Sequence, residues 1–268
     1  MSLIKSQSGS NILVFNDITH RYHLNGNAVP GATTFTKGGY PTGEGLISWM
    51  KGESAKYALD IGFQLGQVGE PLSETRKKEI IKEAKGKDKE AAETAAAIGT
   101  LVHDYAYHSE LGHGEEVREI LAVAGDHPDW QKIKNGIDKF EAWNKENKDE
   151  LLMSETIVGS AVHQFGGKFD RLSKGFILDD FKTSNSIYID HFNQLGAYAV
   201  ALEEWMGISV KGLRVLRFGK EDGEFQPLLI SDPEEIKAFK YQAILCRQTY
   251  KFRLKWEADK RFDWKRKK

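Results

Sequence analysis

The chain has 268 residues, 40% hydrophobic and 11% aromatic, which is enough to bury a full core. Its 38 Lys and Arg nearly cancel 39 Asp and Glu, and the net charge of −1 excludes a polycation that coats nucleic acid by bulk charge. A single cysteine, Cys246, cannot form an internal disulfide or build a zinc or iron–sulfur site by itself, so any metal must be held by oxygen and nitrogen ligands.

The apolar runs fall far short of the roughly 20 residues a membrane helix needs. Met1 to Ser10 has neither the apolar core nor the cleavage pattern of a signal peptide. The expected setting is cytoplasmic, without a membrane partner.

In chain order, Ile12 to Asn16 and Arg21 to Leu24 read as two short strands of a hairpin, followed by the Gly-, Thr- and Pro-rich loop "GNAVPGATTFTKGGYPTGEG". From Leu46 to Ser109 the pattern is helical, with breaks expected at Gly and Pro. Glu74 to Glu93 is so charged that it should be largely exposed. Pro128 to Asn147 predicts a helix patterned by Trp130, Ile133, Ile137, Phe140 and Trp143. The period then shifts to that of strands over Leu151 to Val158, His163 to Leu172 and Phe176 to Thr183. Ile187 to Trp205 returns to helix, Leu213 to Phe218 and Phe225 to Ile230 suggest a hairpin, and Pro233 to about Ala258 predicts a final helix. Helices, three strands, a helix, two strands and a helix imply an α/β (α+β) fold, with a mixed central sheet flanked by helices.

The strand "GFILDDFKTS" ends in charge. Alternation puts Asp180 and Lys182 on one face and Asp179 and Phe181 on the other. Charges at the end of a buried strand are costly unless paired or bound to a metal, so a structural salt bridge and an active site are both open readings. On the preceding strand, "HQFGGKFDRL" carries Asp170 on the face of Lys168, and a short turn makes the two strands antiparallel neighbours whose carboxylates converge. Two such carboxylates beside one lysine repel each other. A divalent ion resolves the conflict, and oxygen ligands suit Mg²⁺ or Mn²⁺. A lysine beside that ion can position or deprotonate a water for attack on phosphorus.

The last 18 residues, "KFRLKWEADKRFDWKRKK", interleave nine Lys and Arg with Phe252, Trp256, Phe262 and Trp264. Cations pair with phosphates and rings stack on bases, so this tail can hold a nucleic-acid strand. The alternative is a helix end that packs its aromatics on the core and frays into a solvated basic terminus.

Asp170, then Asp180-Phe181-Lys182 in "LDDFKTS", then Gln194 and Tyr198 around "QLGAY", with "IGTLVH" ending in His103 upstream, together resemble the PD-(D/E)XK nucleases. The resemblance is to the RecB-like exonuclease branch, of the phage and mitochondrial genome maintenance exonuclease type, and spans Tyr22 to Tyr198. It implies a restriction-endonuclease-like core with a helical N-terminal elaboration, and one nuclease domain over 1–268: hairpin and loop at 1–45, a helical region at 46–147 contributing His103, and the catalytic core with its C-terminal helix at 148–268. It implies that Asp170, Asp180, His103 and the Phe181 backbone carbonyl hold the metal, that Lys182 acts on the water nucleophile, and that Gly99 lets the helix of His103 approach the sheet.

Glu155 sits where this branch has a strand glutamate, to bind metal through water, shape the site's electrostatics or cap an edge. Gln194 and Tyr198, four apart on one helix face, reach toward the site or the DNA backbone, or simply pack. The four cysteines of the iron–sulfur members are missing, so no iron–sulfur cluster is expected. The implied activity is Mg²⁺- or Mn²⁺-dependent hydrolysis of phosphodiester bonds in DNA, on ends or single strands, with the Leu46 to Ser109 helices walling or arching over the site. An endonuclease on the same fold and an inactive nucleic-acid-binding recombination accessory protein are the alternatives. Phage DNA processing in a host cytoplasm, with a replication or recombination partner, follows from the same resemblance. Oligomeric state does not.

Overall fold

The computed structural model describes residues 2–40, 44–66 and 73–259. The chain forms two compact units, Met1–Pro41 with Leu101–Lys268, and Thr42–Thr100.

The second unit holds α2 (Glu44–Gly66) and the first part of α3 (Glu74–Glu110). Helix α3 runs unbroken through Gly86 and Gly99. The stretch from Glu74 to Glu93 is mostly exposed, as its charge requires, with Ile80 and Ala84 buried. Arg76–Glu79 and Lys87–Glu90 pairs one turn apart stabilise it by a few tenths of a kcal/mol each. The Tyr57 hydroxyl of α2 donates to Glu83 at 2.7 Å.

The first unit opens with an antiparallel sheet in the order β1 (Ser2–Lys5), β2 (Ile12–Asn16), β3 (Arg21–Leu24), β4 (Asn27–Val29). The middle strands match the sequence reading, and β1 and β4 extend it by pairing with them. Leu13, Phe15, Tyr22 and Leu24 alternate inward to meet Ile157 and Trp205. The segment read as a loop contains α1 (Ala32–Gly39). Its Gly39 packs so tightly that a Cβ there would lie 2.0 Å from the Cys246 carbonyl oxygen.

After α3 come α4 (Gly114–Gly125), which the sequence did not announce, and α5 (Trp130–Glu146). The main sheet has the order β5 (Leu151–Ser160), β6 (Phe165–Ser173), β7 (Ile177–Lys182), β8 (Gly212–Phe218), β9 (Phe225–Ile230). Only β7 and β8 are parallel, because the chain between them crosses over as α6 (Ile189–Met206). Leu172, Leu178, Leu213 and Val215 of the sheet bury themselves against Phe192, Leu195, Tyr198 and Leu202 of α6. Helix α7 (Pro233–Glu257) covers α6, with Asp232 as N-cap accepting from the Glu234 and Glu235 amides. The fold is therefore a mixed five-stranded sheet flanked by helices.

Among the described residues no helix is long and apolar enough to cross a membrane. Of the basic C-terminal run, residues 260–268, including Phe262, Trp264 and Lys265–Lys268, lie outside the described residues. Within the described part, Phe252 is 65% exposed instead of packed on the core, and Lys255 lies over the Trp256 ring at 5.3 Å.

Candidate active site

The site grows from a fork in the sheet. The β6–β7 ladder pairs Arg171 with Asp179 and Leu172 with Leu178. Beyond this the Phe181 amide donates to Asp170 Oδ2 at 2.7 Å, so a side chain takes the place of a backbone acceptor between the strands. The Asp170 carbonyl in turn accepts from Ser154 Oγ on β5 at 3.1 Å.

His103 comes in from α3, its Nδ1 3.6 Å from Asp170 Oδ2 and its ring edge-on to Phe181 at 6.0 Å. Glu155 comes from β5, where φ is +45° and the side chain is redirected out of regular alternation. One ligand atom each from His103, Glu155 and Asp170 lie within 4.8 Å of one another. Lys168 forms an ion pair with Glu155. Burial first, and the Asp170 charge second, push Glu155 up to about 7 against the pull of Lys168.

Asp180 is buried beside this group. Lys182 Nζ lies 2.6 Å from both of its carboxylate oxygens, but the alignment makes a hydrogen bond only with Oδ1. Oδ2 is thus a buried acceptor with an ionic partner and no hydrogen-bond donor. Burial pushes Asp180 up to about 6, Asp170 adds to this, and Lys182 opposes it. For Lys182 burial acts to lower the pKa, yet the charges of Asp180 and Asp170 outweigh it and hold the ammonium above its ordinary value.

Tyr198 is buried under the site, its hydroxyl accepting from Gln194 Nε2 at 2.8 Å. Burial, then the charges of Asp170 and Asp180, raise its pKa well above the usual phenol value. Gly167 makes room for it: a Cβ there would lie 2.7 Å from Tyr198 Cε1. Tyr198 therefore supports the site from below, while Gln194 is half-buried and links it to the helix surface.

Asp179 has a different fate from its neighbour. It accepts from Arg171 Nη1 at 2.7 Å and from Arg214 Nε at 2.6 Å. Arg171 also bonds Glu110 at 2.6 Å, Arg214 pairs with Asp149 at 2.9 Å, and the Trp143 ring lies against both guanidinium groups. This network ties the end of α3, two turns past His103, to the sheet. Alternation set Asp179 on the strand face opposite Asp180, but the sequence had no signal for Glu110 or Arg171, because their pairing depends on which helix face meets the sheet.

No family model matches the sequence, and no curated protein matches it. Among solved structures, one named "Putative exonuclease", from Eubacterium rectale, is similar at 12% identity and a TM-score of 0.46, over 62% of this chain and 69% of that chain. A second is similar at 18% identity and a TM-score of 0.27, over 59% of this chain and 80% of that chain.

Proposed function

We propose that the protein is a divalent-metal-dependent hydrolase of phosphodiester bonds in DNA, acting as an exonuclease on ends or single strands. The observation that carries this reading is the convergence of His103, Glu155 and Asp170 beside the Asp180–Lys182 pair at the fork between β6 and β7. The residues fit Mg²⁺ or Mn²⁺, since the set is rich in carboxylate oxygen and Asp180 Oδ2 is a buried acceptor that makes no hydrogen bond and has the Lys182 ammonium as its ionic partner. Asp170, Asp180, His103 and Glu155 would hold the cation, with the Phe181 carbonyl as a further oxygen ligand. Bound there, the cation would offset charge building on the phosphoryl oxygens.

Lys182 is charged at neutral pH and anchored by Asp180, so its ammonium orients an attacking water and stabilises the developing negative charge. Asp180 fixes the position of that ammonium. Tyr198 and Gln194 keep the strand ends rigid beneath it, which preserves the orientation. The cations and rings of residues 251–268 offer a path for a DNA strand. Phage DNA processing in a host cytoplasm, beside a replication or recombination protein, is the setting that extends the sequence resemblance.

The test is digestion of linear single- and double-stranded DNA labelled at either end, with Mg²⁺, Mn²⁺ or EDTA, beside a circular single strand and the Lys182→Ala variant. Metal-dependent release of short end products from linear DNA alone, lost in the variant, is expected. Cleavage of the circle would establish the endonuclease alternative, and intact DNA in every lane would overturn the reading.

A further inference from the structure

A second group of ligand-type side chains lies at the turn between α3 and α4, away from the catalytic fork. His108 stands in the last turn of α3, His113 at the N-cap of α4, and Glu116 in the first turn of α4. The turn brings them together: Gly112 adopts φ +72°, and the His113 amide donates to the His108 carbonyl at 2.9 Å. Glu116 then follows His113 by three residues and shares its helix face. One ligand atom from each of the three lies within 4.8 Å of the others.

The arrangement of the two imidazoles is specific. Their Nδ1 atoms face each other at 3.2 Å, with ring centroids 5.3 Å apart and planes tilted by 52°. Two nitrogens bound to zinc at about 2.0–2.1 Å, at a tetrahedral angle, are about 3.3–3.4 Å apart. The two Nδ1 atoms share a hydrogen bond, one ring donating and the other accepting, and that bond already holds them close to the spacing of two ligands of one tetrahedral ion. The N-cap position is ordinarily filled by a Ser, Thr, Asp or Asn that caps the helix, yet His113 makes no side-chain cap and turns toward His108 instead. Tyr107 packs edge-on against both rings and limits their rotation.

Electrostatics are compatible with a cation. The positive end of α4 opposes it, but Glu115 and Glu116 lie in that first turn, and the negative end of α3 is on the other side. Two imidazoles and one carboxylate form a nitrogen-rich set that favours late first-row ions over Mg²⁺, unlike the carboxylate-rich set at the fork.

We infer that His108, His113 and Glu116 form a second metal site, which takes Zn²⁺ or a similar late first-row dication and clips the end of α3 to the start of α4. Solvent completes the fourth position. The clip spans only the turn, and it does not depend on the nuclease reading.

The test uses tag-free full-length protein in the Asp170→Ala background, so that the fork contributes less to binding. Zn²⁺ is titrated calorimetrically, and Co²⁺ is followed by the visible absorption of a tetrahedral nitrogen–oxygen site. The expected result is one equivalent of Zn²⁺ bound and a Co²⁺ band, with affinity falling at least tenfold in His113→Ala and in Glu116→Gln. Melting of the metal-free variants close to their parent shows that the loss is not misfolding, and Zn²⁺ should raise the melting temperature of the parent more than that of His113→Ala. Equal stoichiometry and affinity in the parent and both variants, or no Zn²⁺ bound by the parent, would overturn the inference.

Discussion

Two adjacent aspartates on β7, both raised in pKa by burial, predict unequal consequences for the same isosteric change, because Asp179 holds two guanidinium groups and Asp180 one ammonium. In Asp179→Asn the amide replaces a buried carboxylate that accepts three charge-assisted bonds, from Arg171 Nη1 at 2.7 Å and from Arg214 Nε and Nη2 at 2.6 and 3.1 Å. The asparagine NH₂ must then face a guanidinium, a donor against a donor. Removing one partner of a buried ion pair costs about 3–5 kcal/mol, and here Arg171 keeps Glu110 while Arg214 keeps Asp149, which places the loss near about 3 kcal/mol. At about 2–4 °C per kcal/mol this lowers the melting temperature by about 6–12 °C.

Asp180→Asn removes a carboxylate that burial and Asp170 have already lifted from 3.8 to about 6. A folded-state pKa above the unfolded value means that the charged form carries a cost to the fold at pH 7, a penalty that disappears below the unfolded pKa. The variant sheds this cost but takes from the Lys182 ammonium its nearest carboxylate, leaving it the Asp170 charge, so the two effects oppose each other and its melting temperature should fall less than that of Asp179→Asn while turnover and metal-dependent stabilisation are lost. Thermal melts at pH 7 in EDTA, followed by circular dichroism and by tryptophan fluorescence, measure both. If Asp179→Asn melted within about 2 °C of wild type, or if Asp180→Asn fell as far as Asp179→Asn should, the division between a structural and a functional aspartate would be wrong.

His191 is held neutral in the fold, its pKa pushed down to about 3 by burial and then by the Lys182 and Lys37 charges, and its Nδ1 accepts the Tyr188 amide at 3.2 Å. The unfolded chain binds a proton there below about 6.5, so stability present above that pH is lost as pH falls toward 3, by about 2 kcal/mol at pH 5. Denaturant midpoints of wild type and His191→Gln should diverge in their pH dependence between pH 7.5 and 5; parallel curves would rule this contribution out. Gly167→Ala should cost about 1–3 kcal/mol, because the new methyl meets the buried Tyr198 ring, and digestion should slow as the tyrosine shifts beneath the carboxylates. A variant with wild-type melting and rate would show that the ring yields freely. Mn²⁺ should raise the melting temperature of wild type and raise that of Asp170→Ala far less; an equal rise in both would place the bound ion elsewhere.

Local pattern was sufficient where the environment of an element repeats along the chain. Ile12–Asn16, Arg21–Leu24 and Phe225–Ile230 have the bounds that alternation and turn residues implied, and α6 and α7 follow their caps and apolar spacing. The same alternation separated Asp179 from Asp180 and put Lys182 beside Asp180, since a strand's two faces are set by covalent geometry alone. Elements whose stability comes from distant partners were not legible. Strands β1 and β4 are short and exist through pairing with β2 and β3, and α1 holds its Thr- and Gly-rich sequence in a helix by packing on α7. Helix α3 continues through Gly86 and Gly99, because the low helix propensity of glycine is a weak prior.

At the site, the sequence by itself determined the kinds of group present and their order. Tertiary structure decided which of them meet. Glu155 joins His103 and Asp170 from a positive-φ position on β5, and Tyr198, which the sequence left reaching toward the site or the DNA backbone or simply packing, lies on the buried floor where Gly167 admits its ring. Arg171 and Glu110 hold α3 against the sheet across sixty-one residues of chain. Side-chain chemistry is local, but convergence depends on strand pairing and helix packing between segments far apart in sequence, and only the folded chain fixes those.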